Sequence, residues 1–330
     1  MKVLVTGGAG YVGSHCVRAL LVAGHEVVVY DDLRSGHRAA VSTEARLVVA
    51  DLANTARLDE VLGADKFDAA MHFAAFIEVG ESVKEPLKFY ENNVANSVRL
   101  LDALRRHEVR KFVFSSTCAI FGTPETMPLV ENTPMSPASP YARNKLVVEW
   151  ALADSADAWG LGFVALRYFN AAGAAADGSI GEDHDPESHL IPNVLKVALG
   201  QRQAVRVFGT DYPTPDGTCI RDYVHVEDLA AAHGKALEVL KPGEKRYYNT
   251  GTGRGASVRE VVDVSRKVTG HAIPVIEEAR RAGDVPVLYA NSNLIQRELG
   301  WRPNYTELKD IVASAWKWHS THPRGFEDRG

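Results

Sequence analysis

The sequence is poor in cysteine and has no long apolar run. Its 330 residues include three cysteines, Cys16, Cys118 and Cys219, which lie far apart. The odd number and wide spacing fit neither a disulfide framework nor a zinc pattern, and they predict a reducing compartment. No uncharged apolar stretch reaches the roughly 18–20 residues that span a bilayer. We therefore expect a cytoplasmic protein that does not act at a membrane.

A strong charge of one sign is also missing. The formal net charge is −5, with 24% charged and 45% hydrophobic residues, which is ordinary for a globular protein. The weak negative balance argues against a nucleic-acid-binding surface as the main function. A chain of this length is long enough for about two domains.

What the sequence does have is a glycine-rich turn between two apolar runs. Residues 3–5 are apolar and β-branched, as in a strand buried on both faces, and residues 25–30 repeat this pattern after a helical segment. Between them, Gly7 allows a tight turn, Gly10 lets the backbone approach a pyrophosphate, and Gly13 allows close packing of helix on strand. The helix N-terminus offers N–H groups to the phosphates. This βαβ unit predicts a dinucleotide site.

Asp31 ends the second predicted strand. A carboxylate there can bind the adenine ribose hydroxyls and repel a 2′-phosphate, which favours NAD over NADP. Arg34 is close enough along the chain to leave NADP open.

Short apolar strands continue to alternate with helices up to residue 170. We predict strands at 46–50, 67–73, 111–117 and 163–167, and helices at 56–62, 86–107 and from Tyr141. Such alternation predicts an α/β fold with a Rossmann-like doubly wound parallel sheet. Beyond residue 170 the pattern becomes a smaller α+β region, although 221–250 can return to the first domain.

Polar and small residues follow the predicted strands. Open α/β sheets bind ligands at the carboxyl ends of their strands. We therefore place the following residues at the site: Asp51, Leu52, Ala74, Ala75, Ser115, Ser116 and Thr117.

Tyr141 and Lys145 are four residues apart at the start of a predicted helix, so their side chains share one face. A lysine ammonium beside a phenol favours the phenolate and lowers the pKa of the tyrosine, which lets it exchange a substrate proton. Such a pair is common on solvated helix faces. It becomes informative here because a cofactor site is predicted in the same domain.

Several blocks together resemble the extended short-chain dehydrogenase/reductases and, within them, the UDP-glucose 4-epimerase family. The similarity runs through Thr6-Gly-Gly-Ala-Gly-Tyr-Val-Gly, Phe114-Ser-Ser-Thr and Ser139-Pro-Tyr-Ala-Arg-Asn-Lys. Two later blocks, Phe208-Gly-Thr-Asp-Tyr-Pro-Thr and Arg221-Asp-Tyr-Val-His-Val, are more particular to the epimerases.

The resemblance implies an NAD-dependent isomerase that interconverts UDP-galactose and UDP-glucose through a transient 4-keto sugar. Tyr141 would be the acid/base at the sugar 4-hydroxyl, Thr117 would hydrogen-bond the same oxygen, and Lys145 would also hold the nicotinamide ribose. Residues 1–170 would be the NAD-binding domain and 171–330 the UDP-sugar-binding domain. Family dimers bury helices equivalent to 86–107 and 140–157, which implies a homodimer.

The resemblance also implies two sets of binding residues and no metal. The expected cofactor-binding residues are Gly7, Gly10, Tyr11, Val12, Gly13, Asp31, Asp32, Leu33, Asp51, Leu52, Phe73, Ala74, Ala75, Asn92, Ser115, Tyr141, Lys145, Tyr168 and Phe169. The expected substrate-binding residues are Thr117, Tyr141, Phe169, Asn170, His189, Leu190, Arg206, Val207, Phe208, Arg221, Arg281 and Asp284. The arginines suit a diphosphate because a guanidinium offers planar paired donors.

Alternatives differ from this interpretation at specific residues. A 4,6-dehydratase of this superfamily carries Asp-Glu directly after the threonine, but Thr117 is followed by Cys118 and Ala119. A non-catalytic NAD sensor is disfavoured by the intact threonine, tyrosine and lysine. The family lysine near the NAD phosphates is replaced by Ile77. Leu288 occupies the position that gates the sugar C2 substituent, so activity on UDP-N-acetylglucosamine stays open.

Overall fold

A computed structural model describes residues 1–281 and 284–328. The chain divides into two compact units. Unit 1 comprises residues 1–122, 134–167 and 230–248, and unit 2 comprises 123–133, 168–229 and 249–330. The boundary nearest the predicted 170 lies after residue 167, and an earlier segment, 123–133, also belongs to unit 2. Of the segment 221–250 that was expected to return, 230–248 belongs to unit 1, and 221–229 and 249–250 belong to unit 2.

The elements are short strands alternating with helices through most of the chain. The strands are β1 Lys2–Thr6, β2 Glu26–Asp31, β3 Arg46–Val49, β4 Ala69–His72, β5 Lys111–Thr117, β6 Gly162–Tyr168, β7 Asn170–Ala172, β8 Val205–Phe208, β9 Ile220–His225, β10 Lys245–Thr250, β11 Gly255–Ser257, β12 Val275–Glu278 and β13 Val287–Leu288. The α-helices are α1 Tyr11–Val22, α2 Thr55–Ala64, α3 Val79–Lys84, α4 Pro86–Phe89, α5 Asn96–Arg106, α6 Pro140–Trp159, α7 Leu190–Ala198, α8 Val226–Val239, α9 Val258–Thr269, α10 Asn293–Leu299 and α11 Leu308–Thr321. Short 3-10 turns cover Arg38–Ala40 and Cys118–Phe121, and a π turn covers Tyr90–Ala95.

Unit 1 is built on a seven-stranded sheet with the order β10-β6-β5-β4-β1-β2-β3. The pairs β1–β2, β2–β3, β1–β4 and β4–β5 are parallel. The strand order reverses at β1, which is the point where doubly wound sheets bind ligands. The predicted Rossmann-like fold class is confirmed.

The register brings three strand ends side by side. Thr6 of β1 lies opposite His72 of β4, and His72 lies opposite Phe114 of β5. The residues that leave these strands are therefore neighbours at one edge of the sheet. The interior strand residues are fully buried and join the helices in one apolar core, for example Leu4, Ala70, Phe112 and Phe163.

The predicted helix at 86–107 is interrupted. Continuous α-helical spacing would place Leu87 and Val98 on its buried apolar face, and this prediction is wrong for both. The π turn at Tyr90–Ala95 separates α4 from α5. A π turn takes roughly one residue more than an α turn, so it rotates the following residues relative to the α-helical spacing. Leu87 is 81% exposed and Val98 is 48% exposed, whereas Leu100 and Leu104 are fully buried.

Unit 2 has a four-stranded and a two-stranded sheet, both smaller than the sheet of unit 1, and it has its own apolar core. Strand β9 pairs with β11, β13 and β7, and β12 pairs with β8. Helices α7, α9 and α11 pack against one another. Side chains from these strands and helices form a second apolar cluster that includes Val194, Val207, Val261 and Ile311. Across residues 1–281 and 284–328, no helix is both long and apolar enough to cross a membrane.

Candidate active site

The glycine pattern at the junction of β1 and α1 cannot accept a side chain at Gly7 or Gly13. Gly7 has φ +72°, and a Cβ there would lie 2.3 Å from the backbone nitrogen of Ala74. A Cβ on Gly13 would lie 2.1 Å from the carbonyl oxygen of Gly7. Both contacts are far inside van der Waals distance, so these positions require glycine for the packing of turn, helix and strand.

Gly10 differs, because the protein itself leaves room beside it. A Cβ on Gly10 would come no closer than 3.4 Å to a protein atom, the carbonyl oxygen of Gly7. Helix α1 begins at the next residue, has no side-chain cap from Gly10 and has no acidic residue in its first turn. Its amide groups and positive dipole end are thus left for an anion. These residues fit the pyrophosphate of a dinucleotide.

Asp31 is the last residue of β2 and is buried. Its carboxylate accepts hydrogen bonds from the glycine turn and from the segment that follows β2. One oxygen accepts from the backbone N–H of Ala9 at 3.0 Å and the other from that of Leu33 at 2.9 Å. Burial raises the pKa of this carboxyl group, although the two hydrogen bonds oppose the shift. Each oxygen keeps a second lone pair for a ribose hydroxyl.

Arg34, which left NADP open, is engaged by two carboxylates. One of its terminal nitrogens lies 3.0 Å from Asp32 and 2.9 Å from Asp51. A guanidinium neutralised in this way is less available to a 2′-phosphate, which favours NAD.

The residues after β4 lie against the glycine turn. The backbone N–H groups of Phe73 and Ala74 both donate to the carbonyl oxygen of Thr6. The Phe73 ring packs on His233 with 4.8 Å between centroids. Asn92 lies in the π turn and donates to Asn93. Leu52, another predicted cofactor residue of unit 1, is buried.

Helix α6 places Tyr141 and Lys145 at the end of β5. The helix starts at Pro140 because the hydroxyl of Ser139 accepts from the backbone N–H of Ala142 at 3.2 Å. The Lys145 ammonium donates to the carbonyl oxygen of Ser115 at 2.8 Å and lies 6.0 Å from the centre of the Tyr141 ring. Lys145 is therefore anchored near the end of β5, with the Tyr141 ring on the same side of the helix.

The lysine is buried, and its chemistry follows from that. Burial lowers the pKa of Lys145 to about 7. Its Nζ also lies 5.0 Å from the centre of the Phe114 ring, a contact that favours the charged form. A phenolate at Tyr141 would favour the ammonium form of Lys145 too.

Thr117, the last residue of β5, is 8% exposed. Its hydroxyl oxygen accepts from the backbone N–H of Ala119 at 3.2 Å and caps the short 3-10 turn that follows. That bond uses a lone pair of the oxygen and leaves the hydroxyl proton to be donated elsewhere.

A buried ion pair supports this end of β5, and sequence reasoning missed it. Arg167 and Glu149, both 2% exposed, form a paired contact with nitrogen–oxygen distances of 3.0 and 2.7 Å. Ser116 donates to the same carboxylate at 2.6 Å, and the guanidinium lies over the Tyr247 ring. The charged residues in the predicted helix and strand were the available signal, but their partnership depends on the fold.

In unit 2, Arg221 and Asn170 are held by the backbone of β9. A terminal nitrogen of Arg221 donates to the carbonyl oxygen of Ile220 at 2.9 Å, and the guanidinium lies 3.9 Å from Asp284. Asn170 donates to the carbonyl oxygen of Asp222 at 3.1 Å. The structure thus brings three of the predicted substrate residues together within unit 2.

Asp222 positions this strand and was not predicted. Its buried carboxylate accepts from the backbone N–H groups of Thr252, Gly253 and Ala290, and from the Thr252 hydroxyl. Burial raises the pKa of this carboxyl group, against the opposing effect of those bonds.

Arg281 and Phe208 form a second pair of predicted substrate residues. The guanidinium carbon lies 3.7 Å from the centre of the ring. Arg206, by contrast, points to solvent beside Glu278, and the Val207 side chain is 2% exposed within the apolar cluster of unit 2. Val207 can meet a ligand only through its backbone.

His189 and Leu190 lie where α7 begins. The backbone N–H of His189 donates to the Glu187 carboxylate at 2.8 Å, and the His189 ring faces Glu182. Tyr168 is the last residue of β6 and is partly buried, and Phe169, which follows it, is buried.

The chain is similar to known proteins over nearly its whole length. Residues 3–251 match the NAD dependent epimerase/dehydratase family. A UDP-glucose 4-epimerase of Halalkalibacterium halodurans is 50% identical over 99% of this chain and 98% of its own length. The structure of UDP-glucose 4-epimerase from Brucella ovis in complex with NAD has a TM-score of 0.92 and 47% identity, covering 96% of this chain and 97% of that one.

A second structure, of UDP-glucose 4-epimerase from Bifidobacterium longum in complex with NAD⁺ and UDP, has a TM-score of 0.95 at 37% identity. It covers 99% of this chain and 100% of that chain. The chain belongs to the NAD dependent epimerase/dehydratase family.

Proposed function

We propose that this protein is an isomerase that interconverts UDP-galactose and UDP-glucose with NAD as its cofactor. The observation that carries the proposal is the anchored Tyr141–Lys145 pair at the end of β5, in a chain about half identical over its full length to UDP-glucose 4-epimerases. The NAD site is formed by the glycine turn, the uncapped start of α1 and Asp31.

Tyr141, as a phenolate, accepts the proton of the sugar 4-hydroxyl and later returns it. Lys145 stabilises the phenolate by its charge. Thr117 donates a hydrogen bond to the same sugar oxygen. NAD⁺, when bound, supplies the hydride acceptor and donor that make C4 transiently a ketone. The absence of carboxylates at Cys118 and Ala119 leaves no acid and base to eliminate water there.

The two units then divide the work. Unit 1 binds NAD and carries the reacting groups, and unit 2 binds the UDP moiety. Arg221 and Arg281 bind the diphosphate, Asp284 accepts from ribose hydroxyls, and Phe208 stacks on uracil. The spacing of Arg221 and Asp284 supports this assignment, because the distance of 3.9 Å keeps the guanidinium only loosely engaged.

The test is to incubate the purified protein with UDP-galactose and to follow the sugar signals by NMR, first without added cofactor and then with NAD. We expect UDP-glucose to accumulate without net consumption of NAD. No conversion in either condition would contradict the proposal. The same assay with UDP-N-acetylgalactosamine decides whether Leu288 leaves room for an N-acetyl group at C2.

We also propose a homodimer in the cytoplasm. Helices α4 and α5 pack against α6, and they expose Leu87, Val98 and Trp150 at 81%, 48% and 59%. An exposed apolar set of this kind is typical of an interaction surface. Sedimentation of the wild-type chain should give a dimer, and Trp150→Glu should shift it to monomer, whereas the exposed Val22→Glu on α1 should leave the dimer intact. The three free, buried cysteines suit a reducing compartment.

A further inference from the structure

The loop between β7 and α7 carries a group of four side chains, of which only His189 is among the predicted substrate-binding residues. Glu182, His184, Glu187 and His189 follow the pattern Glu-x-His-x-x-Glu-x-His. One donor atom from each of the four lies within 4.8 Å of all the others. All four belong to unit 2.

The two carboxylates are buried, and one is incompletely paired. The side chain of Glu187 is 0% exposed and that of Glu182 is 3% exposed. The Oε2 atom of Glu187 has no hydrogen-bond partner in the described part of the chain and faces Nδ1 of His184 at 4.0 Å. A buried carboxylate oxygen without a partner costs free energy unless a cation satisfies it.

The rings of His184 and His189 both direct their Nδ1 atoms at the carboxylate of Glu182. Nδ1 of His184 lies 3.2 Å from Glu182, and Nδ1 of His189 lies 2.6 Å from the same carboxylate oxygen. The second contact lacks hydrogen-bond geometry despite its short distance. Both rings therefore direct a nitrogen at the carboxylates, as ligands of a shared cation would.

We propose that Glu182, His184, Glu187 and His189 bind a divalent transition-metal ion, with zinc the best match. Two imidazole nitrogens and two carboxylate oxygens are a donor set that zinc accepts in tetrahedral geometry. Bonds of about 2.0–2.2 Å would place neighbouring donor atoms roughly 3.3–3.6 Å apart. The distances of 3.2 and 4.0 Å lie close to this range, and the 2.6 Å contact would lengthen.

The charge of the group agrees with a dication. In the metal-bound form, in which both imidazoles are neutral, the two carboxylates give the group a net charge of −2, which a divalent ion cancels. A single protonated imidazole would cancel half of it and would leave Oε2 of Glu187 unpaired.

The metal would order the loop that leads into α7. His189 precedes that helix directly, and the indole nitrogen of Trp318 donates to the carbonyl oxygen of Glu182 at 3.3 Å. A bound ion would thus link the start of α7 to the buried face of α11. The role is structural, and its effect is measured on metal content and thermal stability.

The experiment uses the untagged full-length protein. Its metal content is measured by mass spectrometry, and the chelator-treated protein is then titrated with Co²⁺ while the visible absorption is recorded. The same titration is made with Glu187→Gln. The matched control is Asp185→Asn, which removes an exposed carboxylate from the same loop outside the group.

We expect one metal ion per chain, a saturable Co²⁺ spectrum of tetrahedral intensity, and a Tm that rises when Zn²⁺ is restored. Glu187→Gln should weaken the affinity by more than the roughly 10–100-fold typical of an outer-shell change, and Asp185→Asn should leave it unchanged. If Glu187→Gln does not fold, the wild-type Co²⁺ spectrum decides. Absence of saturable binding to the wild type, or equal binding by a folded Glu187→Gln, would overturn the proposal.

Discussion

The two units handle their candidate site residues differently. In unit 1, Thr117 and Lys145 are buried at a strand end and on a long helix, and backbone groups hold them. In unit 2, Arg206, Arg281 and Asp284 are exposed on short strands and loops. Reacting atoms need positions fixed to a fraction of an ångström, which regular elements provide. The UDP moiety, which does not react, can be bound by exposed side chains that change conformation when it binds.

Their buried charges differ as well. Unit 1 buries an ion pair, Glu149 with Arg167, in which each charge satisfies the other. In unit 2, the buried carboxylate of Asp222 accepts hydrogen bonds from backbone N–H groups and from the Thr252 hydroxyl. Removing either partner of the pair would leave an uncompensated charge beneath β5, whereas Asp222 fixes the geometry of a loop.

The largest expected effect is on the fold of unit 1. Gly13→Ala should destabilise the protein by about 3 kcal/mol or more, at the upper end for single substitutions, because the new Cβ would collide with the Gly7 carbonyl. Gly234→Ala is the matched control, since it lies in helix α8 with nothing within 4 Å of the new Cβ. It should stabilise by about 0.5–1 kcal/mol. Urea unfolding measures both, and equal effects would contradict the packing role of Gly13.

The second effect is on substrate binding by unit 2. Arg281→Ala should raise KM for UDP-galactose about 10–100-fold and change kcat only a few-fold, because a charged hydrogen bond contributes about 1.5–3 kcal/mol. Arg280→Ala is the matched control, since its guanidinium pairs with Asp211 and lies over Tyr212. Steady-state kinetics separate the two. If Arg280→Ala raised KM as much as Arg281→Ala, the assignment of Arg281 to the diphosphate would be wrong.

The third effect concerns acid stability. Burial lowers the pKa of His72 in unit 1 to about 3 and that of His225 in unit 2 to about 4. The unfolded chain protonates these histidines below about pH 6.5, whereas the folded chain does not, so stability falls as the pH falls. Each contributes about 2 kcal/mol of loss between pH 6.5 and 5.

His72→Gln should remove that share of the pH dependence, whatever its effect at neutral pH. Chemical unfolding at several pH values measures the slope, with the exposed His271→Gln as control. An unchanged slope in His72→Gln would show that this histidine is charged in the folded protein.

Much of unit 1 was predictable because local rules agree with its fold. Strand β5 has the predicted bounds, since an apolar run ends in polar residues. Helix α6 starts where Ser139 and Pro140 indicate a cap and a first helical residue. Two glycines of the turn meet backbone atoms that only a βαβ unit would place there.

What could not be predicted depends on contacts distant in sequence or on an irregular turn. Leu87 and Val98 lie on either side of the π turn at Tyr90–Ala95 and are exposed, although continuous α-helical spacing predicts that they share a buried face. Val207 belongs to a core whose other members come largely from five other elements, β7, α7, β9, α9 and α11. The grouping of Glu182 with His189 arises from the path of a loop, which spacing alone does not define.

The assignment of the chemistry to unit 1 depends above all on Tyr141. The most direct measurement is kcat for UDP-galactose in Tyr141→Phe, with Tyr247→Phe as a control that removes another phenolic hydroxyl of unit 1 and keeps the ring that packs on Arg167. Loss of the acid/base should lower kcat about 10²–10⁴-fold and leave the fold and KM nearly unchanged. A Tyr141→Phe protein that keeps most of the wild-type kcat would show that another group moves the proton.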